Sequence, residues 1–127
     1  MAELKEVSRS AAAVVYRASS LPGCSETLTL DLRRKWVLSE RLTAGLFRKR
    51  WEHAFQDVSK VRLSFAEGRL VRIQVVLTLK DGTHRLVARA PEGAAAPLRA
   101  LGTGIAAVCG CPFVESRDVV AYPDLLS

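Results

Sequence analysis

The side chains best suited to metal binding or acid–base chemistry are three cysteines and two histidines. Cys109 and Cys111 are one residue apart, whereas Cys24 lies far from them in the sequence. A structural zinc site needs four ligands, and the two histidines, His53 and His84, belong to separate segments. We therefore expect no bound metal and no cofactor. The cysteines are expected to be buried or half-buried thiols in a reducing compartment.

Catalytic motifs are absent from the sequence: it has no nucleophile elbow, Walker loop, dinucleotide fingerprint or paired-histidine metalloprotease motif. Gly102-Thr103-Gly104 is too short, and too deep in a helical pattern, to hold a phosphate. His53 and His84 could each act as a general base, but neither has a candidate nucleophile nearby in sequence, so structural roles are favoured. We expect a protein that is not an enzyme. Only a deep pocket that joins a histidine to a carboxylate or a thiol would favour catalysis.

Two clusters of basic residues are the groups in the sequence best suited to binding an anion. One is expected in a turn and consists of Arg33, Arg34 and Lys35. The other is expected on a neighbouring strand and consists of Arg48, Lys49 and Arg50. If these segments pair in an antiparallel meander, both clusters approach one sheet edge, where they could bind the phosphates of nucleic acid or anionic lipid. The alternative is a solvated face whose arginines protect an edge strand or pair with nearby glutamates.

The composition is that of a folded domain with a basic surface. The chain has 127 residues, of which 49% are hydrophobic and 25% charged, so we expect a single domain over residues 1–127. A net charge of +6 favours anionic partners. Because 14 of the 19 cations are Arg and Asn is absent, we expect part of this charge to reflect a GC-rich bacterial coding sequence. The N-terminus does not resemble a secretory signal, so a cytoplasmic protein is expected, with a peripheral position at the inner face of the membrane as the alternative.

Short strand-like segments must position these residues, since they dominate positions 11–90. Residues 26–32 alternate cleanly, with Leu28, Leu30 and Leu32 on one face of a half-buried strand. An earlier strand over residues 12–17 is also expected, although its alanines would suit a short helix.

Residues 40–55 fit two structures. The break at Gly45 and the alternation favour strands, with three aromatic rings in the core: Phe47, Trp51 and Phe55. The same rings have the i, i+4 spacing of a helix, which stays open as the alternative.

The clearest strands form a meander in the middle of the chain. Val61, Leu63 and Phe65 alternate with polar residues, and Glu67-Gly68 follows as a hairpin turn. Residues 70–80 then place five apolar side chains on one face: Val71, Ile73, Val75, Leu77 and Leu79. Asp81-Gly82 is the strongest hairpin signal, and residues 83–89 form the return strand.

The pattern becomes helical at about residue 95 and stays so until about residue 109. Its apolar stripe consists of Leu98, Leu101, Ile105 and Val108. Gly110 suits the C-cap, and the tail 113–127 could add a short strand over 119–122. We assign six residues to the opposite face: Arg99, Gly102, Thr103, Gly104, Ala106 and Ala107. A solvated helix face usually carries Glu and Lys, so we expect this face to contact a partner; the alternative is that small residues tolerate water.

The element order resembles that of pleckstrin-homology-like (PH-like) domains, in which about seven strands precede one closing helix. Three segments carry the resemblance: the leucine strand with its basic turn (28–35), the entry to a second sheet (55–61), and the long strand with its turn (75–82) before the helix and its Cys111-Pro112 end. The stretch from Thr27 to Pro112 is similar to small bacterial PH-like domains often found on membrane-associated proteins. The expected fold class is mainly β (α+β): an open barrel of six or seven antiparallel strands closed by one C-terminal helix.

The resemblance implies a role in binding proteins or lipids rather than in catalysis. In family members that bind phosphoinositides, a basic motif lies in the loop between the first two strands. The corresponding segment here, residues 19–26, contains no Lys or Arg, which does not favour that mode of headgroup binding. The leading hypothesis is a non-catalytic protein-interaction or scaffolding module in a larger bacterial assembly, which binds a protein partner or self-associates. The alternative is binding to an anionic surface through the basic clusters.

Overall fold

The computed structural model describes residues 4–21, 23–66, 72–91 and 95–119. The chain divides into two compact units, Met1–Phe55 and Gln56–Ser127. The described residues form nine strands in two sheets and one C-terminal α-helix, so the protein is mainly β, as predicted. Within these residues each sheet is open, with an edge strand at either side. The PH-like open barrel closed by one helix and the single domain therefore stay predictions.

The first unit is an antiparallel meander in which each strand pairs with the next one along the chain. Its strands are β1 (Lys5–Arg9), β2 (Ala13–Leu21), β3 (Cys24–Asp31), β4 (Trp36–Thr43) and β5 (Phe47–Ala54). Strand β1 was not expected from the sequence. All five of its residues are exposed, so no apolar alternation marks it, and its backbone ladder with β2 defines it instead.

The buried face of this meander comes from its three inner strands. Leu30 of β3 is paired with Val14 of β2 on one side and with Val37 of β4 on the other, and all three are buried. Leu28 is likewise buried and faces Tyr16, whose pKa is raised chiefly by burial. The predicted alternation is thus confirmed for Leu28 and Leu30. The third leucine, at position 32, lies beyond the end of β3.

Residues 40–54 form the end of β4, a turn and all of β5, and not an α-helix, which confirms the favoured alternative; Phe55 begins a 3-10 turn. The hairpin of β4 and β5 has an unbroken register from Trp36↔Ala54 to Thr43↔Phe47. Phe55 is buried and Trp51 half-buried, but Phe47 is 70% exposed. Its predicted place in the core is wrong, because Phe47 closes the hairpin next to its turn, at the end of an edge strand.

A 3-10 turn (Phe55–Asp57) spans the boundary between the two units. The second unit then continues as the predicted meander. Its strands are β6 (Val58–Ala66), β7 (Arg72–Leu79) and β8 (His84–Pro91). Residues 73–79 of β7 are buried on both faces, rather than on one alone. The Asp81-Gly82 turn is confirmed: Gly82 N–H donates to Leu79 O at 3.0 Å. The Glu67-Gly68 turn lies outside the described residues.

The helix α1 (Ala95–Cys109) has the predicted bounds, but it is not the last element. It is followed by β9 (Phe113–Val119), which pairs in parallel with β6 and completes the order β8-β7-β6-β9. Because β8 and β9 run in the same direction, the chain needs a crossover connection between them, and α1 provides it. The prediction of antiparallel strands alone is therefore wrong for β9. Positions 120–122 of the predicted tail strand lie outside the described residues.

The helix contacts all four strands of its sheet, with Leu98, Leu101 and Ile105 buried. Gly102 and Ala106 are buried too, so their predicted place on the outer face is wrong. The reason is close packing at Gly102: a Cβ at this position would lie 2.5 Å from Cε1 of the Phe113 ring. A small residue is required here because an aromatic ring of β9 occupies the space.

Candidate functional site

The tip of the β4–β5 hairpin is a tight turn that the sequence signals only weakly. Ala44 and Gly45 both have positive φ, at 54° and 69°, in the loop between the paired residues Thr43 and Phe47. Leu46 N–H donates to Thr43 O across the turn at 3.2 Å. Alanine seldom adopts positive φ, so Ala44-Gly45 is a poorer hairpin signal than Asn-Gly or Asp-Gly.

A second hairpin turn holds this tip in place. Gly45 N–H donates to the carbonyl oxygen of Gly23, which lies in the turn between β2 and β3, at 2.8 Å. The two backbones are so close that a Cβ at Gly23 would lie 2.9 Å from Gly45 N. The tip is thus tied by its backbone to the neighbouring hairpin at the same end of the sheet.

Two large apolar side chains project from this tip into solvent. Leu46 is 82% exposed and Phe47 is 70% exposed, the two highest values among the large apolar residues that the structure describes. Single exposed apolar residues are common on protein surfaces, but two consecutive ones at the end of a hairpin form a small exposed apolar patch.

The predicted basic cluster Arg48, Lys49 and Arg50 follows directly, and all three side chains are exposed. By strand alternation, Phe47 and Lys49 lie on one face of β5, and Arg48 and Arg50 on the other. Since β5 pairs only with β4 in the described part of the chain, cations extend from both faces of an edge strand. We define residues 44–50 as the hairpin end. It therefore combines an exposed apolar pair, Leu46 and Phe47, with the basic cluster 48–50.

Ion pairs neutralise only part of the positive charge of the basic cluster 48–50. Arg50 is 3.4 Å from a carboxylate oxygen of Glu52, in a solvent-exposed pair that contributes little stability. The nearby Arg41 is paired with Glu26 across strands β3 and β4, at 3.1 Å. The ion pairs of the described residues include neither Arg48 nor Lys49. Two cations at the hairpin end thus remain available for an external anion.

The other basic cluster, Arg33, Arg34 and Lys35, lies in the β3–β4 turn and is exposed. The carboxylate of Asp31 organises this turn by accepting the backbone N–H groups of Arg33 and Arg34, at 3.0 and 2.9 Å. Trp36, which follows, is 39% exposed.

The structure does not bring the two basic clusters together. The β3–β4 turn lies beside Trp36, which pairs with Ala54, whereas the cations of β5 pair with Glu40 to Leu42. Four to six residues of β4 separate the two positions, about 13–20 Å at the usual rise of a strand. The expectation that they share one sheet edge is wrong, because they lie at opposite ends of the same hairpin.

The other helix residues of the predicted partner surface differ in their exposure and in their contacts. Arg99 forms a two-pronged pair with Glu115 of β9, at 2.9 and 2.7 Å, and this carboxylate raises the pKa of Arg99. The hydroxyl of Thr103 donates to the backbone oxygen of Arg99 at 2.8 Å. Thr103 and Ala107 are exposed and Gly104 is half-buried, so the outer surface is smaller than the sequence suggested.

The three cysteines are half-buried free thiols, as predicted, and each histidine lies beside a neighbouring side chain. Gly110 ends α1 with positive φ, and Cys111 N–H donates to Ala106 O at 3.1 Å, the long bond of a Schellman cap. Burial raises the pKa of the Cys109 thiol to about 12. The imidazole of His84 is 3.1 Å from the hydroxyl of Thr78, and the His53 ring lies beside that of Trp51. Among the described residues, no three His, Cys, Asp or Glu side chains are grouped to hold a metal ion.

Comparisons with known protein families, with curated proteins and with solved structures found no match to this chain. None of the described residues belongs to a helix with the length and apolar character that a membrane crossing demands.

Proposed function

We propose that this chain is a non-catalytic binding module that recognises an anionic surface through the end of its β4–β5 hairpin. One observation carries the proposal: three consecutive exposed cations occupy an edge strand, and Arg48 and Lys49 belong to none of the ion pairs among the described residues. Such a group attracts anions over about 10 Å at moderate ionic strength, and the attraction weakens as salt rises.

The alternative role of these cations, protection of the edge strand, is compatible with binding. Charged residues on an edge strand oppose pairing with a second sheet. Protection alone, however, does not account for the exposed apolar pair beside the cations.

Two variants with equal charge loss test the proposal. In the first, Arg48, Lys49 and Arg50 become Ala; in the second, Arg33, Arg34 and Lys35 become Ala. We expect the first to elute from immobilised heparin at clearly lower salt than the second, which removes the same charge from the opposite end of the hairpin. Equal elution of the two variants would show that net charge alone governs retention, and it would contradict the proposal.

A protein-interaction or scaffolding role within a larger assembly is the second candidate. The observation that favours it is an uncharged, exposed stretch on the outer side of α1, which includes Ala100, Thr103 and Ala107. Under this proposal, Ala107→Glu and Gly104→Arg dissociate an assembly in the native cell extract and leave the isolated chain folded. An unchanged sedimentation profile for both variants would count against it.

The PH-like fold is proposed on the order of the elements. Strands β2 to β5 form one meander and β6 to β8 another, and α1 follows, as the resemblance implies. Strands β1 and β9 are additions to that order. An experimental structure in which the two meanders close one barrel would support the proposal, and two separately folded sheets would contradict it.

A further inference from the structure

The exposed apolar pair of the hairpin end, Leu46 and Phe47, favours one class of anionic partner, a lipid bilayer, over nucleic acid. We infer that Leu46 and Phe47 insert into the interfacial region of an anionic lipid bilayer, while Arg48 and Lys49 contact the lipid headgroups. This inference rests on the proposed function, because it names the surface that the same hairpin end would bind.

The spacing along β5 matches the layers of a bilayer surface. Successive residues of a strand advance by about 3.3 Å, so Arg48 and Lys49 lie about 3 and 7 Å behind Phe47. Apolar groups at a membrane surface enter to a depth of about 5–10 Å, where acyl chains meet headgroups. With the tip foremost, the apolar pair reaches this boundary and the cations remain level with the phosphates, where long basic side chains are favourable.

Backbone hydrogen bonds hold the tip in place, which favours insertion. The hydrogen bond between Gly45 N–H and Gly23 O fixes the turn, and the β4–β5 ladder fixes the residues that follow it. Binding then does not have to order a loose loop, so less conformational entropy is lost on association.

Nucleic acid fits this surface less well. The phosphates of a nucleic acid would satisfy Arg48 and Lys49, and an exposed aromatic ring such as Phe47 could stack on an unpaired base. The more exposed Leu46 gains nothing from either contact, because an aliphatic side chain neither pairs with a phosphate nor stacks as a ring does. A bilayer accommodates all four side chains.

A second copy of the chain fits less well still. If two copies paired antiparallel along β5 and were centred on Lys49, each basic cluster would face its own equivalent. Like charges directly opposite each other destabilise strand pairing. The basic cluster 48–50 therefore disfavours this edge-to-edge dimer, whereas an anionic surface neutralises the charge of the cluster.

Vesicle binding by an apolar double variant tests the inference. In Leu46→Ser/Phe47→Ser every cation remains, so we expect elution from heparin to be unchanged. Binding to mixed phosphatidylcholine–phosphatidylserine vesicles at physiological salt should weaken by about 10-fold or more, since burial of two large apolar side chains is lost. The control Val7→Ser replaces another exposed apolar residue, on β1, and should bind like the unmodified chain.

A second variant reports insertion directly. Trp at position 47, as Phe47→Trp, should add fluorescence that brominated lipids quench in vesicles containing phosphatidylserine, whereas Val7→Trp should add none that is quenched. Unchanged vesicle binding by the double Ser variant, or an unquenched Trp at position 47, would overturn the inference. Tighter binding to duplex DNA than to the vesicles, retained in the double Ser variant, would also overturn it.

These outcomes separate the inference from the proposed function. If insertion fails but the basic hairpin variant still loses heparin retention, the anionic-surface proposal stands and only the bilayer is excluded. If the two charge-loss variants behave alike on heparin, the proposed function itself fails.

Discussion

Gly45 donates its backbone N–H to the carbonyl oxygen of Gly23, and through this 2.8 Å bond one hairpin turn supports another at the same end of the first sheet. The contact involves backbone atoms only, so it depends on the absence of a side chain at Gly23 and not on any particular side-chain chemistry. It fixes the turn immediately before the exposed pair Leu46 and Phe47, and the proposed binding surface depends on it.

A side chain at Gly23 should weaken this support. In Gly23→Ala the new Cβ meets Gly45 N at 2.9 Å and the residue keeps a φ of 79°, so we expect a loss of at least about 2 kcal/mol in the free energy of unfolding. Gly82→Ala is the matched control, because Gly82 also has positive φ but open space around its Cβ position. The control should lose only about 1 kcal/mol in urea unfolding. Equal losses would show that the contact between the two turns contributes nothing.

The hairpin turn itself should tolerate improvement. Ala44 has a φ of 54°, which asparagine adopts more readily than alanine, and Ala44→Asn places an Asn-Gly pair at the two positions of positive φ. We expect the free energy of unfolding to rise by about 0.5–1 kcal/mol, measured in urea, because asparagine relieves part of the cost of left-handed backbone, with the elution from heparin unchanged. A destabilised variant would contradict the assigned turn geometry.

Packing of α1 on β9 should couple positions 102 and 113. Gly102→Ala gains about 1 kcal/mol of helix propensity but forces its Cβ into the Phe113 ring, and such overpacking costs about 1–3 kcal/mol. Phe113→Leu removes the ring edge, so in that background the same substitution should stabilise the chain. A double-mutant cycle on urea unfolding should therefore give a coupling free energy of at least about 1 kcal/mol. Additive effects would mean that the ring does not restrict position 102.

The thiol of Cys109 should react slowly at neutral pH. Burial, with a smaller contribution from Cys111, raises its pKa from 9.0 to about 12, so little thiolate is present in the folded chain. We expect alkylation of Cys109 by iodoacetamide at pH 8 to be much slower than in urea, as followed by peptide mass spectrometry.

The same shift makes stability fall in alkaline solution. Unfolded Cys109 ionises from about pH 9 and folded Cys109 only towards pH 12, so the unfolded chain loses its proton first and unfolding becomes easier as pH rises through this window. Cys109→Ser should reduce this alkaline loss of stability. An unaltered pH dependence in Cys109→Ser would show that Cys109 is not buried in the folded chain.

Most strands could be predicted from the sequence, because one-sided burial leaves a period of two. Leu28 and Leu30, and Val61 and Leu63, show it, whereas β7 is buried on both faces from residue 73 to 79 and its alternation is one of sequence alone. Strand β1 could not be found in this way, since its residues are all exposed and only backbone pairing with β2 defines it. The parallel strand β9 was missed for a related reason: pairing with β6 joins segments about 50 residues apart, and no local pattern reports such a partner.

The candidate site was predictable in part. The run 48–50 is visible as a basic cluster, but its distance from the run 33–35 depends on the register of β4, which the sequence does not contain. The spacing of Phe47 from Trp51 predicts a core position, whereas its place just after the Ala44-Gly45 turn indicates exposure. Small residues on the helix were ambiguous, because Gly102 serves close packing while Ala107, with a similar side-chain size, faces solvent.

The most direct test of the central claim is the affinity of the two charge-loss variants for the same phosphatidylserine-containing vesicles, measured at low and at physiological salt. Each basic residue near an anionic surface contributes about 1 kcal/mol, so the variant without Arg48, Lys49 and Arg50 should bind on the order of 100-fold more weakly than the variant without Arg33, Arg34 and Lys35. The difference should shrink as salt rises. Equal affinities at low salt, with both variants folded, would contradict the account.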